Sequence, residues 1–91
     1  MKRVVRTQSY QDDLENVEAR IAQDNPAAGV DMWLHIDDQV SQLADPNFPR
    51  KPGRVKGTFE LVAYANYIVI GQEDAKTVTV LNVVHARQQW P

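Results

Sequence analysis

Apolar positions along the chain follow two different periods. Tyr10, Leu14, Val17 and Ile21 recur at intervals of four, three and four, the spacing that aligns one stripe of an α-helix. The acids around them, Asp12, Asp13, Glu15 and Glu18, take the opposite face. Ser9 with Asp12 three residues on reads as a capping-box-like start, and residues 2–7, with Val4 and Val5, read as a strand leading into it. Asn25-Pro26 interrupts the helix, because proline disfavours helical geometry at the residue before it. The same pair supplies an N-cap and a first-turn proline for a second helix. There Trp33, Ile36, Val40 and Leu43 repeat at three, four and three, Leu34 widens the stripe, and Asp45-Pro46 ends it. Two amphipathic helices joined this tightly form an antiparallel hairpin.

Residues 45–53 contain Pro46, Pro49, Pro52 and Gly53, which leave no regular structure but stiffen a basic connector. Beyond it the period shortens. Residues 54–57, 60–64, 67–70 and 77–84 are rich in β-branched and aromatic residues and read as strands. Ala65-Asn66 supplies one tight turn, Asn being tolerant of left-handed backbone, and residues 71–76 a second. Residues 78–84 are apolar on both faces, as expected of a strand covered on both sides or lying inside a sheet. The expected fold is therefore α+β: an N-terminal strand, an antiparallel helical hairpin, then a four-stranded antiparallel meander with the helices on one sheet face. With no internal repeat or low-complexity tract, residues 1–91 read as a single domain.

Length and composition narrow the chemistry. A chain of 91 residues builds one modest core with little material for a deep cleft. The absence of cysteine excludes a disulfide framework, a thiolate metal site and a thiol nucleophile. Residues 1–7 carry Lys2, Arg3 and Arg6 without a following apolar segment, and no run is long enough to span a bilayer; the expectation is a soluble, cytoplasmic protein with no membrane partner. The net charge of -2 says less than its distribution. Nine of the twelve acids lie between Ser9 and Asp45, where Arg20 is the one basic residue. The cations gather instead at Lys2, Arg3 and Arg6 and in the cluster Arg50, Lys51, Arg54 and Lys56, with Lys76 and Arg87 standing singly.

Candidate chemistry is sparse. His85 is either a general base or a half-buried structural residue sharing a strand face with Leu81 and Val83. His35, beside the apolar stripe of the second helix, has no partner at metal-ligand spacing and reads as a boundary residue. Asp12-Asp13 and Asp37-Asp38 are helix neighbours that point apart, so they form solvated faces rather than carboxylate dyads. No metal or cofactor site is expected. The cluster from Arg50 to Lys56 has three readings: phosphate contact, attachment to an acidic protein surface, or solubility. Trp33 reads as core, while Arg87 and Trp90 either fold back on the sheet or form a protruding contact.

Four strings, in order, carry a resemblance: Asp24-Asn25-Pro26-Ala27-Ala28, then Gly57-Thr58-Phe59-Glu60-Leu61-Val62, then Tyr67-Ile68-Val69, and finally His85-Ala86-Arg87-Gln88-Gln89-Trp90-Pro91. Together they resemble the ParE/RelE toxin family of type II toxin–antitoxin systems over nearly the whole chain. ParE-like members typically show an Asn-Pro-x-Ala helix turn, a Gly-Thr-Arg-Glu-Leu-Val string and a closing His-x-x-Arg-x-Trp-Pro or His-x-Arg-x-x-Trp pattern; this chain departs at Phe59, where arginine is usual. The resemblance implies a helical hairpin against one side of a small curved antiparallel sheet. RelE-like relatives are ribosome-dependent endoribonucleases that drive a 2′-hydroxyl onto the adjacent phosphate, chemistry that needs surrounding cations. Ile68 stands where they place an arginine, leaving His85 and Arg87 as the catalytic candidates of a nuclease reading.

The resemblance therefore favours a non-enzymatic toxin that binds and inhibits DNA gyrase. The alternatives are an mRNA nuclease acting on the ribosome, and a degenerate member retained as a binding module. In each case it implies a cognate antitoxin, assembled with the toxin as a hetero-oligomer, whose C-terminal segment wraps the helices and adds to the sheet. Arg3, Arg6 and Arg54 would suit an acidic antitoxin tail. The full set expected to contact target or antitoxin is Arg3, Arg6, Arg50, Lys51, Arg54, Lys56, Arg87 and Trp90.

Overall fold

A computed structural model describes residues 1–88. The elements run β1 (Arg3–Arg6), α1 (Gln8–Ala22), α2 (Pro26–Gln42), β2 (Lys51–Pro52), β3 (Phe59–Tyr64), β4 (Tyr67–Glu73) and β5 (Thr77–His85). They build a five-stranded sheet in the order β1-β5-β4-β3-β2. From β2 to β5 neighbouring strands are antiparallel, as expected of a meander. β1 instead lies parallel to β5, with Val4 opposite Val78. The sheet is thus mixed rather than antiparallel. The helical hairpin that follows β1 provides the long connection a strand needs before a parallel partner can lie beside it.

Helix starts depend on more than local sequence. α1 is capped by Thr7, not Ser9: the Thr7 hydroxyl accepts from the Tyr10 N–H at 3.2 Å and donates to the Val80 carbonyl at 2.7 Å. One side chain thereby starts the helix and ties it to β5. α2 begins as its sequence predicts, with Asn25 accepting from the Ala28 N–H and Pro26 in the first turn. Its buried stripe is Gly29, Met32, Ile36 and Val40, rotated from the expected one. Trp33 is half-buried and Leu34 is 55% exposed, so Leu34 does not widen the core face. Gly29 marks the close approach of the helices, since a Cβ there would stand 2.9 Å from the Glu18 carbonyl oxygen.

Residues 54–57 form a turn rather than a strand: Gly57 takes φ 86°, and Thr58 donates from both its N–H and its hydroxyl to the Val55 carbonyl. The edge strand falls earlier, at Lys51–Pro52, where proline is tolerated because the ladder beyond is unpaired. In the β3–β4 turn it is Ala65, at φ 47°, that carries the left-handed geometry expected of Asn66.

The main core lies between the hairpin and one sheet face, with Tyr10, Leu14, Met32 and Ile36 packed against Leu61, Val69, Val78 and Val80. Each such side chain contributes about 1.5–3 kcal/mol by burial. Ile68, Ile70 and Val84 form a separate small cluster; register puts Ile68 opposite Val84. Phe59 belongs to the main core, 5% exposed, and its ring occupies the space a Cβ on Gly71 would take.

Candidate functional site

The structure divides the expected cation set in two. Arg6, at the end of β1, donates through Nε to Asp37 Oδ1 at 2.9 Å and through Nη2 to Ser41 Oγ at 2.7 Å. The buried Tyr10 hydroxyl donates to the same Asp37 oxygen at 2.9 Å. Burial first, and then the bond to Asp37, push the Tyr10 phenol well above its ordinary range. Asp37 is therefore not a solvated helix residue but the acceptor that joins β1, α1 and α2.

Arg50 is likewise committed internally. Its side chain is 9% exposed; Nε donates to the Phe48 carbonyl at 3.0 Å, Nη2 to the Leu43 carbonyl at 3.2 Å, and Nη1 to Glu73 Oε1 at 3.0 Å. The guanidinium also lies 5.6 Å from the Phe59 ring centroid, a cation–π distance. Glu73 accepts from Lys2 Nζ at 2.7 Å as well. These bonds fasten the connector after α2 to the end of β4.

The other candidates face solvent. Arg3, Lys51, Lys56 and Arg87 are exposed and make no ion pair with the described residues. Arg54 is half-exposed, its guanidinium 3.7 Å from the buried Glu60 carboxylate, which also accepts the Arg54 N–H at 2.9 Å. These cations are not brought together. Arg3 and Lys51 stand on opposite edge strands, and Arg87 follows the far end of β5. Trp90 lies outside the described residues.

His85 is half-buried, its ring edge-on to Tyr67 with centroids 5.2 Å apart. Its Nδ1 accepts from the Arg87 N–H at 3.0 Å and its own N–H donates to Gln88 Oε1 at 3.1 Å, so it organises the turn after β5. Beside it Asp13 accepts from the Val83 N–H and from Asn82 Nδ2, both at 3.0 Å, closing the β5 edge beyond the end of β1. Asp13 thus shares the structural role of Asp37. A cleft of about 180 Å³ lies here, lined in part by Asp13, Arg20, Tyr67 and His85. His35 is exposed, edge-on to Tyr64 and 2.6 Å from Gln39 Nε2, while the Gln39 amide donates to the Ala63 carbonyl. Among the described residues no group of three His, Cys, Asp or Glu is placed to hold a metal ion, and no helix is long and apolar enough to cross a membrane.

One surface has no counterpart in the sequence reading. A groove of about 500 Å³ runs between α1 and α2, with Tyr10 and Leu14 beneath and Glu15, Glu18, Trp33 and Asp37 at its sides. Elsewhere on α2 the apolar pair Val30 and Leu34 lies off the buried stripe and is more than half exposed.

The structure overlays on a chain of the chromosomal ParDE TA system from P. aeruginosa with a TM-score of 0.84 at 16% identity, covering 96% of this chain and 98% of that one. A chain of the toxin-antitoxin complex RelBE2 (Rv2865-2866) from Mycobacterium tuberculosis matches with a TM-score of 0.56 at 27% identity, over 92% and 96% of the two chains. In sequence, the Sinorhizobium fredii (strain NBRC 101917 / NGR234) protein named "Putative toxin Y4kP" is 36% identical over 78 residues, 86% of this chain and 81% of that protein. Residues 4–90 match the family described as ParE toxin of type II toxin-antitoxin system, parDE. The chain belongs to this ParE toxin family.

Proposed function

We propose that residues 1–91 act as one cytoplasmic toxin domain that inhibits DNA gyrase by direct binding, arresting replication and growth, and that a cognate antitoxin neutralises it. Where a plasmid carries the pair, this arrest stabilises the plasmid. The observation that carries the reading beyond family membership is the fate of the cations. Phosphoryl chemistry on RNA needs several charges converging on one phosphate, whereas Arg6 and Arg50 are spent on internal hydrogen bonds and β4 carries Ile68 and Ile70. The remaining exposed cations are spread over separate edges, which suits contact with a protein surface. Lys51, Arg54, Lys56, Arg87 and Trp90 are the residues we assign to that contact.

An antitoxin partner is supported by the solved relatives, which are named as toxin–antitoxin systems. An acidic antitoxin tail would meet Arg3 and Arg54; Arg6 leaves that set because Asp37 already neutralises it. A second reading, ribosome-dependent mRNA cleavage, draws on the cleft where His85, Tyr67 and Arg20 meet. Supercoiling by purified gyrase across a titration of the protein separates the two. Inhibition with accumulation of cleaved DNA is expected; full supercoiling beside translation-dependent mRNA cleavage would favour the nuclease.

A further inference from the structure

The cleft of about 180 Å³ at the far end of β5 is lined by hydrogen-bond donors that the fold does not use. Tyr67 and His85 stand opposite each other on β4 and β5. Asp13, Asn16 and Arg20 meet them from one face of α1, being three, four and seven residues apart. Arg20 is the one Lys or Arg of the two helices, exposed in the last turn of α1. Asn16 and Val17 fill the positions four and three residues before it, where an acid would pair with it, and it makes no ion pair with the described residues. Unlike Arg6 and Arg50, it is not spent on the fold. His85 Nδ1 accepts from the Arg87 N–H, which puts the imidazole proton on Nε2 and makes that nitrogen a donor. Gln88 accepts through Oε1 and keeps its amide N–H groups. Tyr67 meets His85 through its ring, and its hydroxyl bonds to none of the described residues. Asp13 is the one acid lining the cleft. Its Oδ2 is held by the Val83 N–H and Asn82 Nδ2, and seven residues of helix set it about 10 Å from Arg20 along the axis.

We propose that this cleft binds a terminal phosphate group, the dianion of a phosphate monoester such as a nucleoside 5′-monophosphate. The Arg20 guanidinium would take two of its oxygens in a fork. His85 Nε2, the Tyr67 hydroxyl and the Gln88 amide would donate to the rest. Asp13 repels the anion from the other end of the cleft and so confines it beside Arg20. The size of the cleft, about 180 Å³, suits the phosphate and leaves the organic part in solvent, so recognition rests on the charge and shape of that group. Because the Arg87 N–H and the Gln88 side chain are bonded to His85, a ligand held by His85 would also brace the turn after β5. The proposal requires neither gyrase inhibition nor RNA cleavage.

The test is isothermal titration calorimetry of the full chain at low salt with AMP, with adenosine, and with a short oligoribonucleotide carrying either a 5′-phosphate or a 5′-hydroxyl. AMP binds at least about tenfold tighter than adenosine. Arg20→Gln weakens AMP binding about tenfold and Tyr67→Phe about threefold. Lys76→Gln, the same charge change at another exposed residue, leaves it unchanged. Unchanged circular dichroism verifies the fold of each variant. Equal binding of AMP and adenosine, or equal weakening in Arg20→Gln and Lys76→Gln, overturns the proposal. A phosphorylated oligonucleotide that binds tighter than AMP through Arg20 supports the site and makes a nucleic-acid end the source of the group; AMP binding as tightly supports it with a free nucleotide as the source. The 5′-hydroxyl oligonucleotide binding as well as the phosphorylated one overturns it, since an internal phosphate would then fill the cleft. AMP binding without gyrase inhibition removes only the gyrase reading, and gyrase inhibition without AMP binding removes only this site.

Discussion

Arg50 and Lys51 are neighbours in sequence and opposites in structure. Arg50 threads inward to the carbonyls of Phe48 and Leu43 and to Glu73; Lys51 points outward from an edge strand with no ionic partner among the described residues. The same division separates Arg6 from Arg3 on β1. A basic cluster in a sequence is thus two populations, one that holds the fold together and one that remains free for a partner. Charge and spacing do not distinguish them. The guanidinium fork does in part, because it can satisfy several carbonyls at once where an ammonium cannot.

Mutations test that division in order of expected effect. Arg50→Ala removes the donor to the Phe48, Leu43 and Asp45 carbonyls and leaves Glu73 with Lys2 alone, around a side chain that is 9% exposed, and should cost about 3 kcal/mol of stability in urea unfolding; a loss below 1 kcal/mol would place Arg50 among the free cations. Asp37→Ala leaves the buried Tyr10 hydroxyl and Arg6 without their acceptor, at a cost of about 2 kcal/mol. Tyr10→Phe removes only one partner and should cost about 1 kcal/mol. Lys51→Ala and Arg3→Ala should change stability by less than about 0.5 kcal/mol while weakening antitoxin or target binding.

The Tyr10 phenol adds a pH signature. Its pKa is raised in the folded state above the ordinary 10.0, so its contribution is complete below pH 10 and is lost as pH rises above it, where the unfolded chain ionises first. Wild type should lose stability above about pH 10 more steeply than Tyr10→Phe. Parallel alkaline unfolding profiles would show that the buried hydroxyl is not linked to folding.

Much of the fold was legible because its signals are local. The α1 stripe, the Asn25-Pro26 junction and the β-branched and aromatic runs of β3 to β5 need only neighbouring residues to be read. The misses arose where distant partners decide. Thr7 and Ser9 are both plausible caps, and Thr7 wins because its hydroxyl also reaches Val80 on β5. Met32 and Trp33 are both apolar, and only the close helix packing at Gly29 sets which one turns fully inward. Phe59, where relatives usually carry arginine, proves to be a core residue beneath Arg50, so its hydrophobicity has a structural cause. Of the candidate site, the cationic residues were legible as a set, and Arg3, Lys51, Lys56 and Arg87 are the members that prove exposed. The commitment of Arg6 and Arg50 was not, because their acceptors on α2 and β4 lie 31 and 23 residues away.

The most direct measurement is supercoiling by purified gyrase in the presence of the wild-type chain and of a folded Lys51→Glu, Arg54→Glu, Lys56→Glu triple variant. Inhibition with cleaved DNA by the wild type, relieved in the triple variant, is the predicted result. Full supercoiling at large excess of the wild-type protein would contradict gyrase as the target.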